Sequence, residues 1–428
     1  MADRATGRAR SQAARPAPAK TAARPRLRVV PSSASRRNNA AAARVSLALL
    51  LFPVALLTVI GVVEVFSASS VSAYAQYGSS FVFFNRQVVY AAVGVLALVL
   101  TSRAPYQMWR RMAAPFLAAT VVLLLIALVS GQSAYGASRW IGFGSFTLQP
   151  SELAKLSLVA FTAMVLTLKW KKLGELGHLA LPLAPVVSLV AGIVILQRDL
   201  GTTIILCGTV FMMLFVAGAR AKHLAGAALI GLAAGALLIF GESYRAARFL
   251  SYRNPWADAK GAGYQLIQGY IALGSGGWFG VGLGASRQKW QYVPNAHTDF
   301  IFAILGEELG LIGEIVVLAL FATLIYAGMR IAMRAPDTFG RLLAAGITSW
   351  LGLQTIVNLG AVTGLLPVTG VPLPFMSYGG SALIVGLAGV GVLASIARAR
   401  APSSRTTRSG GASRARPASR DPRSKVTR

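Results

Sequence analysis

The chain has 428 residues, of which 55% are hydrophobic and 13% charged, and its mean hydropathy is +0.60. This composition excludes a soluble globular domain and indicates that most of the chain lies in a lipid bilayer. The net charge of +29 is concentrated at the ends, because residues 1–44 hold 11 Lys or Arg and residues 398–428 hold 10. Both tails are rich in Ala, Pro, Ser and Arg and lack aromatic residues, so we expect them to be disordered.

A basic chain can bind nucleic acid, but basic tails that flank a hydrophobic body favour another interpretation. Such tails hold the termini in the cytoplasm and contact anionic membrane lipid, so we expect no nucleic-acid partner. The one cysteine, Cys207, excludes a disulfide within the chain, and we expect it to be a small buried core residue.

Ten apolar segments predict an all-α polytopic membrane protein with about ten transmembrane helices within residues 45–397. The first is not a cleaved signal peptide, because its apolar run exceeds the roughly 7–15 residues of such a segment. The predicted spans are residues 46–66, 86–102, 112–131, 149–168, 181–197, 200–217, 224–241, 299–328, 340–362 and 377–397.

The charges of the loops predict the orientation of the chain. With the N-terminus inside, every even-numbered loop is cytoplasmic and carries Lys or Arg, whereas the outer loops 67–85 and 363–376 carry neither. The exception is residues 242–298, a long and basic loop between spans 7 and 8. Its aromatic content is too high for a disordered segment, so we expect a folded extracytoplasmic loop with amphipathic pieces on the bilayer.

Asp299 lies at the start of span 8, in a polar stretch that opens an apolar helix. Two interpretations are compatible: a general base at the outer membrane face, or a helix N-cap formed by Thr298 or Asp299. A glycosidase-like pair with Glu307 is excluded, because eight residues of helix separate the carboxylates by about 12 Å. A single carboxylate implies a leaving group that needs no protonation.

Charged residues also lie at the start of span 4. Glu152 and Lys155 are spaced i,i+3 and can pair on one helix face, and Arg139 precedes them. They form either a structural intramembrane ion pair or a site for an anionic headgroup. Residues 197–202 fit a tight polar turn, and the Gly and Ser of residues 372–381 fit close helix packing.

Other classes of site are excluded. The run of residues 280–285 matches a dinucleotide-binding pattern, but no βαβ pattern surrounds it, and no Walker A motif is present. The three histidines lie far apart in sequence with no Cys cluster, so we expect no zinc site.

Taken in order, these motifs resemble those of the SEDS family of bacterial membrane proteins, over about residues 45–397. The stretches around Asn295 and Glu307 look more like the division branch than the elongation branch. Glu64 departs from the family pattern, as an acid inside the first span. The resemblance is carried by residues 67–69, 85–87, 136–140, 149–155, 197–202, 263–265, 282–289, 296–300, 306–310 and 374–381.

The resemblance implies a peptidoglycan glycosyltransferase that polymerises lipid II for the septal cell wall. Asp299 is then the base that deprotonates the acceptor sugar, with inversion at the donor carbon and release of undecaprenyl pyrophosphate. We expect further residues to bind the substrate: Arg139, Glu152, Lys155, Gln197, Asp199, Arg245, Arg248, Lys289, His297 and Ser377.

The resemblance also implies a class B penicillin-binding protein, the septal transpeptidase, as partner, together with other membrane proteins of the division complex. The expected location is the bacterial plasma membrane at the septum, with both termini cytoplasmic. No metal-ligand cluster is evident, and a divalent cation (Mg²⁺ or Mn²⁺) that assists the pyrophosphate is left open. Three alternatives are also left open: a lipid II flippase, an elongation-type polymerase, and a scaffold that only activates a transpeptidase.

Overall fold

The structure is a computed structural model that describes residues 33–134, 137–144, 146–290, 292–294 and 296–399. Within these residues it contains twelve α-helices, two single turns of 3-10 helix (Trp170–Lys172 and Pro255–Asp258) and three short strands. The helices are α1 (Ser33–Tyr77), α2 (Val82–Arg103), α3 (Gln107–Ser130), α4 (Pro150–Leu168), α5 (Leu176–Leu196), α6 (Leu200–Val216), α7 (Ala221–Phe240), α8 (Ser243–Ser251), α9 (Tyr264–Ser275), α10 (Ile301–Met333), α11 (Thr338–Val362) and α12 (Gly380–Arg398).

The chain divides into two units, residues 1–42 and residues 43–428. The described part of the first unit, residues 33–42, is helical, and every element discussed below belongs to the second unit. The disorder expected for the basic tails falls mainly on residues 1–32 and 400–428. These lie outside the described residues, so that expectation stays a prediction.

Each of the ten predicted spans coincides with an apolar helix. Eight helices are long and apolar enough to cross a membrane, namely α1 from Ala43 onward, α2, α3, α4, α7, α10, α11 and α12. The other two are the shorter helices Ala180–Leu196 and Leu200–Val216. At a rise of about 1.5 Å per residue each of these is about 26 Å long, slightly less than the hydrocarbon core of a bilayer. The prediction of an all-α polytopic membrane protein is confirmed.

Helices α4, α11 and α12 form the inside of the bundle, whereas every residue of α7 is described and none is buried. Glycines allow α2 and α12 to approach closely. A Cβ at Gly391 would lie 2.4 Å from the carbonyl oxygen of Leu98, and one at Gly380 would lie 2.3 Å from the ring of Tyr90. One expectation is wrong: Cys207 is exposed on α6, because it lies on the outer face of the bundle.

A small antiparallel sheet, which the sequence did not predict, connects α3 to α4. Its strands are β1 (Gln132–Ala134), β2 (Ala137–Phe143) and β3 (Phe146–Leu148), in the order β1-β2-β3. Gly144 has a φ of 60° between β2 and β3, a conformation that glycine adopts without strain. Strands of three residues are too short for an alternating pattern to stand out. The sheet places Arg139 of β2 beside the turn between α5 and α6.

Helix α10 is kinked at Gly310, where φ is 65° and ψ is −169°. A Cβ at this position would lie 2.4 Å from the backbone nitrogen of Gly280, so a side chain does not fit. The chain after α9 lies against the kink, because Val281 N donates to Glu307 O over 2.9 Å and Leu311 N donates to Gly277 O over 2.9 Å. The long segment between α7 and α10 is therefore folded onto α10.

Candidate functional site

A cavity of about 690 Å³ lies at one end of the bundle, where the segments between α3 and α4, α5 and α6, α7 and α10, and α11 and α12 meet. Its volume is within the range of about 300–1,000 Å³ that small-molecule sites occupy. The charged residues in its lining are Arg139, Arg198, Asp199, Glu242, Arg245, Arg248 and Asp299. Its polar neutral residues include Tyr90, Thr147, Gln149, Thr298, Thr369, Tyr378 and Ser381.

Asp299 borders the cavity with only 8% of its surface exposed. Thr298 Oγ1 donates to Asp299 Oδ1 over 3.0 Å. Burial raises the pKa of the Asp299 carboxyl above its usual range, while the hydrogen bond from Thr298 and the charge of Arg248 act in the opposite direction. A carboxylate with a raised pKa is a stronger base, which suits proton abstraction near neutral pH.

The alternative interpretation of Asp299 as a helix cap is not supported. Phe300 occupies the cap position of α10, and among the described residues no side chain caps this helix. The carboxylate of Asp299 therefore does not satisfy the free backbone N–H groups of the first turn.

Four arginines border the cavity. Arg139 donates from Nε to the carbonyl of Gln197 over 2.9 Å and from Nη2 to the carbonyl of Arg198. Arg245 Nε lies 3.6 Å from Glu242, and Arg248 donates from Nη2 to Gln265. Against the three carboxylates in the lining, the four guanidinium groups leave a net positive charge, which favours an anionic ligand.

Asp199 and Gln197 shape the turn between α5 and α6. Asp199 caps α6, because its Oδ1 accepts from the backbone nitrogen of Thr202 over 3.0 Å and its Oδ2 accepts from Thr202 Oγ1 over 2.9 Å. Gln149 also donates to Asp199 Oδ2, over 3.3 Å. Gln197 is buried and donates to the carbonyl of Leu124 over 2.9 Å. The prediction of a tight polar turn agrees with this geometry, and Asp199 in addition borders the cavity.

Glu152 and Lys155 pair with each other inside the bundle rather than at the described lining of the cavity. Lys155 Nζ lies 2.8 Å from Glu152 Oε2, and each residue is 2% exposed. Lys155 also donates to Gln354 Oε1 over 2.9 Å and lies 5.6 Å from the ring centre of Trp350. The geometry matches the structural ion pair that was one of the two sequence interpretations.

Lys289 belongs to a second buried polar cluster, formed by the chain after α9 and helix α10, away from the part of the cavity lining that is described. Lys289 Nζ lies 3.7 Å from Glu308 Oε1, and Glu308 accepts from Ser67 Oγ over 2.6 Å. Glu307 accepts from Ser286 Oγ over 2.5 Å and from Arg287 N over 3.0 Å. Both glutamates thus anchor the chain between α9 and α10, which agrees with the exclusion of Glu307 as a second catalytic carboxylate.

His297 and Ser377 lie next to the cavity, behind its described lining. The His297 ring packs 4.9 Å from the Phe83 ring and 5.6 Å from the Tyr378 ring, centre to centre. Burial lowers the pKa of His297 to about 4, so this histidine is neutral at neutral pH. Ser377 Oγ accepts from the backbone nitrogen of Leu373 over 2.8 Å. Both residues support the segment between α11 and α12.

The sequence reasoning missed several residues of the cavity. Arg198 lies in a motif that was read as a turn, and Glu242 and Gln149 flank predicted site residues. Ser381 Oγ accepts from Gln149 N over 2.9 Å, which joins the start of α12 to the start of α4. The available signal was proximity, since Arg198, Gln149 and Ser381 lie inside the motifs and Glu242 lies three residues before Arg245.

A metal site was left open by the sequence. Within the described ranges, no group of three or more His, Cys, Asp or Glu residues has the arrangement that could hold a metal ion. The residues present do not by themselves form a complete ligand set, so we derive no catalytic step through a metal.

The comparisons with known proteins agree with the resemblance in the sequence. A family model described as "Cell cycle protein", for FtsW, RodA and SpoVE, matches residues 47–401. The chain is 44% identical over 355 residues to the probable peptidoglycan glycosyltransferase FtsW of Geobacter metallireducens, which covers 82% of this chain and 94% of that protein. It is also 44% identical over 352 residues to the stage V sporulation protein E of Bacillus subtilis, with 82% and 96% covered.

Solved structures show the same relationship. A chain from a structure described as "Structural coordination of polymerization and crosslinking by a peptidoglycan synthase complex" is similar with a TM-score of 0.66 and 33% identity, over 81% of this chain and 96% of that one. The rod shape determining protein RodA of Thermus thermophilus is similar with a TM-score of 0.61 and 31% identity, over 81% and 95%. The chain therefore belongs to the SEDS family of polytopic membrane proteins, together with FtsW, RodA and SpoVE.

Proposed function

We propose that this protein is a peptidoglycan glycosyltransferase that polymerises lipid II, with Asp299 as its general base. The observation that carries the proposal is a buried carboxylate at the wall of a cavity that four arginines also border. The names of the FtsW relatives and the similarity to a chain of a peptidoglycan synthase complex support it.

The reaction joins two lipid-linked disaccharides. Asp299 takes the proton from the 4-hydroxyl of the acceptor sugar as the oxygen attacks the anomeric carbon of the donor. The new bond forms between that oxygen and that carbon, while the bond from the carbon to the pyrophosphate oxygen breaks with its electron pair. The attack comes from the face opposite the leaving group, so the configuration inverts.

Undecaprenyl pyrophosphate leaves as an anion, which removes the need for a general acid. This fits a site with Asp299 as its general base, because the other two acidic groups of the described lining form a helix cap and an ion pair. Asp199 caps α6, and Glu242 lies 3.6 Å from Arg245. Guanidinium groups suit the leaving pyrophosphate, since they offer paired donors and stay charged. Arg139, Arg198, Arg245 and Arg248 are the groups proposed for this role.

The proposal includes a topology in which the cavity opens on the extracytoplasmic side and both termini are cytoplasmic. Support comes from the loops that form the cavity, since all of them are odd-numbered loops, predicted to lie outside. At the other end of the bundle, Arg341 at the start of α11 lies over the ring of Trp170, which belongs to a loop that was predicted to be cytoplasmic.

The proposed role is septal cell-wall synthesis in the plasma membrane, with a class B penicillin-binding protein as the partner. The relatives named FtsW support the division role, and the similarity to a chain of a peptidoglycan synthase complex supports a partner that cross-links the product. Other division-complex proteins and membrane lipid are further expected partners.

The test uses purified full-length protein in vesicles with lipid II, with and without the penicillin-binding protein. We expect glycan strands from the wild type and none from Asp299→Asn, with the same amount of folded protein. Asp258→Asn is the matched control, because this acid is exposed in the same long segment. Polymer made by Asp299→Asn at the wild-type rate would exclude Asp299 as the base, and lipid II translocation without polymer would identify a flippase.

A further inference from the structure

Asn358 of α11 connects the backbone of Asp299 to the segment between α11 and α12. Its Nδ2 donates to the carbonyl oxygen of Asp299 over 2.8 Å and to that of Val371 over 2.8 Å. Asn358 is 1% exposed and lies behind the described lining of the cavity. It therefore acts on the Asp299 main chain and not on its carboxylate.

The orientation of this amide follows from its partners. Both groups near Nδ2 are carbonyl oxygens, which accept hydrogen bonds and cannot donate them. The two N–H groups of a single side chain are thus both used, one on each segment. Only asparagine or glutamine offers two such donors on one uncharged nitrogen, and the longer glutamine would displace one of the two segments.

A second amide on the same face of α11 extends this connection. Gln354 lies one turn before Asn358 and donates from Nε2 to the carbonyl of Pro372 over 2.9 Å. Its Oε1 accepts from Lys155 Nζ and from Trp350 Nε1, both over 2.9 Å. Pro372 borders the cavity. One rigid helix thus fixes both Asp299 and the neighbouring wall of the cavity.

We propose that Asn358 is a positioning residue for the glycosyl transfer, which holds the Asp299 backbone at a fixed distance from Val371, the residue between Gly370 and Pro372 of the cavity lining. The proposal rests on the proposed function, because it assigns a role to Asn358 only through Asp299. A general base must lie within about 2.6–3.2 Å of the proton that it removes, so a shift of its backbone acts directly on the rate.

The size of the effect follows from the geometry of proton transfer. A misplacement of about 1 Å in a catalytic group costs up to about 100-fold in rate. Asn358 does not touch the cavity, so the substrate retains its contacts and KM changes little. A loss of kcat with an unchanged KM is the signature of a group that acts only at the reacting atoms.

The pH dependence supplies a readout that does not depend on the amount of folded enzyme. Burial raises the pKa of Asp299, while Thr298 and Arg248 lower it. If the Asp299 segment is released, its carboxylate moves toward water and its pKa falls toward the ordinary value. The acidic limb of the plot of kcat against pH then moves to lower pH.

The experiment compares Asn358→Leu and Asn358→Asp with the wild type in the lipid II polymerisation assay between pH 5 and 8. Leu removes both donors, and an ionised Asp presents only acceptors to the two carbonyls. We expect kcat to fall by about 10- to 100-fold and KM to change less than about twofold in both variants. We expect the acidic limb to shift to lower pH in Asn358→Leu, which adds no charge beside Asp299.

Thr355→Val is the control, because Thr355 is also buried on α11 and its hydroxyl donates only to Leu351 O of the same helix. We expect its kcat and its pH profile to match the wild type. Wild-type kcat in both Asn358 variants, or a loss of activity in Asn358→Leu with an unshifted pH profile, would overturn the positioning role. Activity of Asp299→Asn in the same assay would instead overturn the proposed function, so the two failures are distinguishable.

Discussion

Arg139 holds the backbone of Gln197 through a 2.9 Å hydrogen bond from its Nε, and its Nη2 donates to the next carbonyl, that of Arg198. Arg198 has a φ of 59°, which costs a residue with a side chain roughly 1–2 kcal/mol. The two hydrogen bonds stabilise that strained turn from the neighbouring strand β2. The same guanidinium borders the cavity, so Arg139 both fixes one wall and presents positive charge to the cavity.

This relationship predicts that Arg139→Lys is a damaging substitution. Lysine keeps the charge but lacks the planar fork that reaches two adjacent carbonyls. We expect KM for lipid II to rise and kcat to fall, with kcat/KM lower by about 10-fold, which corresponds to about 1.4 kcal/mol. Steady-state polymerisation kinetics measure both constants. The control is Arg110→Lys, an exposed arginine at the start of α3, whose replacement leaves the kinetics unchanged. If Arg139→Lys kept wild-type kinetics, the planar guanidinium group would be needed neither to hold the turn nor to line the cavity.

Lys155 provides a second prediction, which separates packing from substrate binding. Lys155→Met leaves Glu152 as an unpaired buried charge, and breaking such a pair costs about 3–5 kcal/mol. We expect a large drop in the melting temperature of the purified protein. The double variant Lys155→Met with Glu152→Gln removes both charges and should recover most of the stability and the polymerisation rate.

The double variant decides between the two interpretations of this pair. If Lys155 contacted the pyrophosphate, the double variant would be stable yet as inactive as the single one. Recovered activity shows that the pair serves the packing of α4 against α11, which is the arrangement that the structure describes.

The membrane helices could be predicted well from the sequence because each is a long run of apolar residues, and every residue of the run adds to the preference for the bilayer. About 20 apolar residues in a row have few alternatives to a buried or spanning helix, so each of the ten predicted segments became a helix. Successive loops lie on opposite sides of the membrane, so the odd-numbered loops that carry the motifs lie at one end of the bundle. Arg139, Asp199 and Asp299 lie far apart in the sequence and yet border one cavity, as expected for three outer loops.

The long-range partners of the charged side chains could not be predicted in the same way. In sequence, Lys289 and Arg139 have no evident partner, and Lys155 has only Glu152 at the i,i+3 spacing. Lys155 pairs locally with Glu152, but its other partner, Gln354, lies 199 residues away. Lys289 approaches Ser67 across 222 residues. Such contacts depend on how the helices pack, and no local spacing encodes them. The strands β1 to β3 were missed because each is too short for a period of two to be recognised.

Two buried glutamates provide a third prediction. Glu308 accepts hydrogen bonds from Ser67 Oγ and from the backbone nitrogens of Gly284 and Ser286, over 2.6, 3.0 and 3.3 Å. Glu308→Ala leaves these donors unpaired and should release the chain between α9 and α10, at a cost of about 3 kcal/mol or more. We expect a lower melting temperature and faster tryptic cleavage after Arg287, which is exposed.

Glu64→Gln is the matched control for this prediction. Glu64 is 1% exposed, and within the described part of the chain neither of its carboxylate oxygens has a hydrogen-bond partner. Glutamine keeps the size of this side chain and replaces a carboxyl group that Glu308 repels more strongly than Lys289 attracts, so stability should stay the same or rise. Equal destabilisation by both substitutions would contradict the anchoring role assigned to Glu308.

The low pKa of His297 predicts that the folded protein is less stable in acid. Its pKa is about 4 in the folded protein and about 6.5 in the unfolded chain, so between these values only the unfolded chain binds the proton. The stabilisation that the neutral His297 ring gives the folded protein is therefore fully present above pH 6.5 and is lost as the pH falls toward 4. From pH 7 to pH 5 the expected loss is about 2 kcal/mol. His297→Phe retains an aromatic ring against Phe83 and Tyr378 and does not titrate. The difference in melting temperature between pH 7 and pH 5 should be smaller in this variant than in the wild type. If the variant keeps the wild-type difference, the acid sensitivity arises from other groups.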